Sequence, residues 1–147
     1  MDRVSILFVR AALLWLLAGF ILGGLMLSDN LVPGDWRLWF APSHGHMLFV
    51  GWFMQFAIGV GYWLLPRKRT PERPEGYHEP FALLAFGLIN AGLLVRVATE
   101  PWTRAGHDGL SLDLLLVCSS ILQVGAILII VPQTWRRIIA RKKRPVQ

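Results

Sequence analysis

Residues Ser43–Pro66 read SHGHMLFVGWFMQFAIGVGYWLLP, an apolar run that opens with two histidines flanking a glycine. Its length suits a helix crossing a bilayer, which takes roughly 18–20 residues. Imidazoles in such a helix need partners where water is scarce, so they mark a place of interest. Two residues apart on an α-helix means about 200° of rotation. His44 and His46 therefore leave the helix on opposite flanks and make a poor chelating pair for one copper or zinc ion, which favours a spacing of three or four. The spacing suits one helix serving two sites.

Outward from this run, three more apolar stretches stand out, at about 11–28, 81–98 and 112–132. With the span at 44–66 they predict an all-α membrane protein of four transmembrane helices in a single domain, 1–147. The composition agrees: 54% of the 147 residues are hydrophobic, seven are Trp and only 16% are charged. Arg3 and Arg10 precede the first run in the manner of a secretory signal, but no small-residue cleavage site follows Met26-Leu-Ser-Asp29, which predicts a retained helix. Cys118 is the single cysteine and lies in the fourth run, so an intrachain disulfide is excluded.

The net charge of +6 is carried by clusters. Arg3 and Arg10, then Arg67, Lys68, Arg69 and Arg73, then Arg136, Arg137, Arg141, Lys142, Lys143 and Arg144 fall on one side if the spans alternate. Positive charge concentrates on the cytoplasmic side of membrane proteins, which predicts both termini inside. Such clusters touch anionic head groups, and no base-stacking aromatics interleave them, so the partner they imply is a lipid bilayer and not a nucleic acid.

Within the first run, Gly19 and Gly23 are spaced four apart, a pattern that lets helices approach closely. Pro33-Gly34 signals a turn, and Trp36, Trp39 and Phe40 suit an aromatic belt. Ser43, following Pro42, is placed to cap the second helix, with His44 and His46 in its first turn. Tyr62 and Trp63 suit the opposite belt. His78 falls in a charged, proline-rich loop as a solvated imidazole. Gln55, Asn90 and Gln123 are candidates for hydrogen bonds between helices. Arg96 ends the third run and either snorkels to the interface or offers a planar fork to a carboxylate. The loop Thr99–Ser111 carries Trp102, Arg104, His107 and Asp108.

Alternating spans gather His44, His46, Arg96 and His107 at one membrane face. Heme suits that set, being flat, apolar, bound through imidazole, and equipped with propionates that want cations. Arg96 and Arg104 lie where propionates would reach. Covalent attachment is excluded by the lack of a Cys-x-x-Cys-His motif.

The run His44-Gly-His46-Met-Leu-Phe-Val-Gly51-Trp52, continuing through Gly59-Val-Gly61-Tyr62-Trp63-Leu-Leu-Pro66, resembles the histidine-bearing helices of subunit I in heme–copper oxidases and nitric oxide reductases. One family helix carries His-x-His, whose first histidine binds the high-spin heme and whose second binds the low-spin heme. On that helix His44 resembles the high-spin ligand and His46 the low-spin ligand. On another, His44 followed by Gly45 resembles a low-spin ligand. The resemblance covers the first 66 residues. The family's many further spans, its copper-binding histidines and its cross-linking tyrosine have no counterpart here, so a complete gas-reducing centre is not implied.

What the resemblance implies is a short four-helix relative in a bacterial inner membrane that holds heme b. His44 and His46 would be metal ligands, with Arg96 and His107 as further cofactor contacts, and the sites would be completed by self-association or by a respiratory-complex partner. Bis-imidazole ligation implies electron transfer; an open position implies binding of oxygen or nitric oxide. Two alternatives stand beside it. One is an accessory protein that handles copper or heme during oxidase assembly through His44, His46, His107 and Met47. The other is a structural subunit whose histidines only pack.

Overall fold

Asp2 starts the first helix: its backbone is extended and its carboxylate accepts the free backbone N–H of Ser5 at 2.9 Å. In this computed structural model, which describes residues 1–28, 34–67 and 69–138, α1 then runs over Arg3–Leu27. The second span is composite. Helix α2, Trp36–His46, widens into a π-helical stretch over Met47–Met54, and α3 continues over Gln55–Leu64. Helices α4, Glu79–Arg104, and α5, Leu110–Trp135, complete the fold. Lys68 of the basic cluster, like the turn residue Pro33 and the tail beyond Ile138, lies outside the described residues.

Four helices are thus long and apolar enough to cross a membrane, Arg3–Leu27, Trp36–Leu64, Glu79–Arg104 and Leu110–Trp135, and they mark a multi-pass membrane protein. The distribution of side chains fits that solvent. Leu14, Phe20, Leu114 and Leu128 are exposed, whereas Ala12, Ala82, Ala85 and Ala126 are buried. Small residues at the contacts let helices pack without a hydrophobic drive between them. Gly92 is the tightest case on α4: a Cβ there would lie 2.8 Å from the carbonyl oxygen of Ser119 on α5. Helix α1 packs along the π-helical stretch and α3, α2 packs on α4, and α5 packs chiefly on α4.

The helices alternate in direction. Asp2, Arg67, Tyr77 and Arg137 meet at one end, here the termini end, where Arg67 Nη2 and the Tyr77 hydroxyl donate to Asp2 at 2.8 and 2.9 Å. Ser43 and Glu100 meet at the other.

Two boundaries near the site and one belt assignment differ from the sequence reading. The second helix begins at Trp36, not after Pro42, with the Asp35 carbonyl accepting from Leu38 and Trp39 and the Trp36 and Phe40 rings stacked at 4.7 Å. Ser43 is consequently no cap, and the histidines sit beyond the second turn. The third helix runs past Ala98 to Arg104, carrying Pro101 inside it. Proline deletes only one backbone bond per site, and membrane helices tolerate it where neighbours pack around it. Tyr62 is wholly buried and is not a belt residue, because Tyr77 and Arg137 cover it.

Candidate functional site

The two imidazoles leave α2 on opposite flanks, as the helical period requires. His44 turns to α1: its Nδ1 lies 3.0 Å from the Gly19 carbonyl oxygen. The ring rests in the notch at Gly23, where a Cβ would come within 2.8 Å of Cε1. The Gly19–Gly23 pattern therefore serves side chains of the second span, His44 and Leu48, which fill the space that larger residues would take. His46 turns the other way. Its Nδ1 is 2.8 Å from the Pro42 carbonyl oxygen in the preceding turn and 3.7 Å from Glu100 Oε2 on α4.

A carbonyl oxygen only accepts, so each Nδ1 carries the proton. In the neutral ring this leaves each Nε2 with a lone pair. Metal-bound histidines are held this way, with the second nitrogen donating to a carbonyl or carboxylate that fixes the tautomer.

Glu100 is the hub of this end, and sequence reasoning missed it. Its Oε2 accepts from Ser43 Oγ at 3.3 Å, and its Oε1 lies 3.6 Å from Arg96 Nη2 one turn earlier. Arg96 Nη1 reaches Ser120 Oγ of α5 at 3.4 Å. The carboxylate side chain is only 9% exposed, against 25% for Arg96 and 30% for His46. One carboxylate thus ties α2 to α4, and through Arg96 to α5. The signal was present in the sequence as Arg96 and Glu100 at i, i+4, but the expected loop start at Thr99 hid it. Arg96 offers its guanidinium to the chain's own carboxylate rather than standing free, and its buried Nε has no partner among the described residues.

His107 lies past the end of α4, exposed, with its ring edge-on to Trp102 at 5.4 Å. Among the described residues no three His, Cys, Asp or Glu side chains come together to hold a metal ion. His78 sits just before α4, exposed and against Phe81.

Deeper in the bundle, a polar cluster joins three spans. Gln55 and Asn90 bond reciprocally through their amides at 2.9 and 3.1 Å, and Trp15 Nε1 donates to Asn90 at 2.9 Å. Gln123, expected to join them, bonds Ser119 on its own helix.

The termini end holds a second charged cluster. Burial pushes the Asp2 carboxyl upward, but the Ser5 N–H, the Tyr77 hydroxyl and the Arg67 charge outweigh it and hold the group below its ordinary value. Burial, then the Asp2 carboxylate, raise Tyr77, and burial lowers Arg137.

Compared with protein-family models, curated proteins and solved structures, the chain gives no match.

Proposed function

We propose that this chain is a heme b-binding membrane protein of the heme–copper oxidase subunit I type, residing in a bacterial inner membrane with its termini in the cytoplasm. Its site lies at the Glu100 end. The observation that carries this reading is the pair of Nδ1–carbonyl contacts, at Gly19 and at Pro42, which orient two imidazoles with Nε2 left to coordinate. His46, the partly exposed ring, would be the more accessible heme ligand; His44 is held against α1. Heme bound there would supply one-electron transfer or bind a gas.

Neither ring lines the apolar groove of about 260 Å³ between Val50, Ile89 and Ile127, nor the larger cleft at the termini end. The remaining wall of a heme site would then come from a second copy of the chain or from a respiratory-complex subunit. The basic residues Arg67, Arg69, Arg73, Arg136 and Arg137 near the termini end support the cytoplasmic assignment.

The second reading is a structural or assembly subunit, and the seat of His44 on Gly23 favours it, because that ring already has a packing role. A reduced-minus-oxidised spectrum of the protein purified in mild detergent, with metal analysis, separates the two. Sharp b-type bands that disappear in His46→Ala support the heme reading. Copper without heme points to metal handling during assembly, and neither metal leaves the structural subunit.

A further inference from the structure

At the termini end, a cleft of about 980 Å³ opens between the segment that leads into α4 and the last turns of α5. Its two faces differ in character. Phe81, Leu128 and Ile129, on the membrane-spanning helices, form an apolar wall, and Arg73, Arg136 and Arg137 line the cleft beside them. Glu72 is the acidic residue in the lining, so three arginines line the cleft beside one carboxylate. Arg73 and Arg136 are exposed and pair with no carboxylate among the described residues.

Arg137 is the second, independent observation. It is 1% exposed, and its Nε and Nη2 donate to the carbonyls of Pro66, Tyr62 and Leu65, yet its Nη1 is buried with no hydrogen-bond partner among the described residues. An unpaired buried donor is costly, and one on a guanidinium calls for an anionic oxygen. The cleft thus asks for a ligand with a negative head and an apolar body. The C-terminal tail does not answer, since Arg141, Lys142, Lys143 and Arg144 give it the wrong charge.

We propose that this cleft binds an anionic phospholipid, with the phosphodiester held by Arg73, Arg136 and Arg137 Nη1 and the acyl chains lying along Phe81, Leu128 and Ile129. Basic pockets between membrane helices hold such head groups elsewhere. The site pins lipid between the α4 entry and α5, the helix that packs chiefly on α4 alone.

The test is native mass spectrometry of the full chain in detergent with phosphatidylglycerol or phosphatidylcholine of matched acyl chains. The wild type retains phosphatidylglycerol with a preference of roughly tenfold, each surface guanidinium contributing several-fold. Arg73→Gln with Arg136→Gln removes the preference while the thermal midpoint stays in place, since neither side chain bonds another among the described residues. Neutralising Arg141, Lys142, Lys143 and Arg144 leaves the preference intact. Equal retention of the two lipids by the wild type overturns the proposal, as does loss of the preference in the tail variant. Displacement of the lipid by millimolar glycerol phosphate also overturns it, because that would make the cleft a site for free phosphate.

Discussion

Arg137 closes the helix that carries Tyr62: its Nη2 donates to the Tyr62 carbonyl at 2.8 Å while the guanidinium lies 5.9 Å from the centre of the Tyr62 ring. The same side chain takes the carbonyls of Leu65 and Pro66, at 2.6 and 3.2 Å. The last carbonyls of a helix have no partner within it. Here a residue just past α5 supplies the donors that end α3, and so ties the second span to the fourth.

Arg137→Lys keeps the charge and loses the fork, because an ammonium cannot serve three carbonyls in that planar geometry. The expected loss is about 2–3 kcal/mol, the scale of hydrogen bonds to charged groups. Thermal unfolding in detergent measures it, and an unchanged midpoint would refute the capping role.

Gly23 and Gly24 make a matched pair on α1. Gly23→Ala drives a methyl into the His44 ring, which the Gly19 carbonyl holds, and costs about 1–3 kcal/mol. Gly24→Ala meets nothing within 4 Å and is neutral or stabilising, by up to about 1 kcal/mol from helix propensity. Equal midpoints for the two variants would show that His44 is free to move away.

Asn90→Leu strands the amide of the fully buried Gln55 and the indole N–H of Trp15, at a cost of about 1–3 kcal/mol. Gln55→Leu with Asn90→Leu recovers part of that loss, because both members of the reciprocal pair are then apolar. A double-mutant cycle is expected to give a coupling of about 0.5–2 kcal/mol, the range for polar pairs between membrane helices. Strict additivity would exclude the pair as a source of stability.

Glu100→Gln withdraws the charge that faces Arg96 and His46 while keeping an acceptor for Ser43. With Arg96 and His46 still about a quarter to a third exposed, the expected loss is modest, about 1–2 kcal/mol. Arg96→Gln, paired with Glu100→Gln, should cost less than the sum of the two single changes. The comparison of midpoints across the four proteins checks this.

Acid should weaken the termini end through Asp2. Its carboxyl is held below the ordinary value of 3.8 in the folded chain, so folding favours the charged form. That contribution is complete above the ordinary value and disappears as the pH falls through the lower, folded one. Asp2→Asn is expected to lower the midpoint at neutral pH and to flatten the acid limb. Parallel acid limbs for wild type and variant would assign the acid sensitivity elsewhere. Tyr77 works in the alkaline direction: its raised value keeps its contribution intact below the ordinary 10.0, to be lost as the pH rises through the folded value.

The apolar runs were legible because hydropathy accumulates along the chain; each found its helix, with every start falling earlier than expected and the last two ends later. Two of the shifts bear on the site: Pro42 read as lying before the second helix and Thr99 as the start of a loop, yet both lie inside helices, as does Pro101. Extending α4 through Pro101 is what swings Glu100 back onto Ser43 and His46, so an error about one boundary concealed the hub of the candidate site. Gln55 and Asn90 were readable as partners, whereas Gln123, equally polar, turned to Ser119 on its own helix.

By itself the sequence determined that there are four membrane-length apolar helices, and that His44 and His46 face opposite ways, because span length, hydropathy and the helical period are properties of neighbours along the chain. Only the tertiary structure decided that His44 is seated on Gly19 and Gly23, that Glu100 gathers Ser43, His46 and Arg96, and that Arg137 is buried under Tyr62 and Tyr77. Those depend on which helix faces which. In a bundle whose every face is apolar, sparse polar contacts set that choice, and they join residues far apart in the chain.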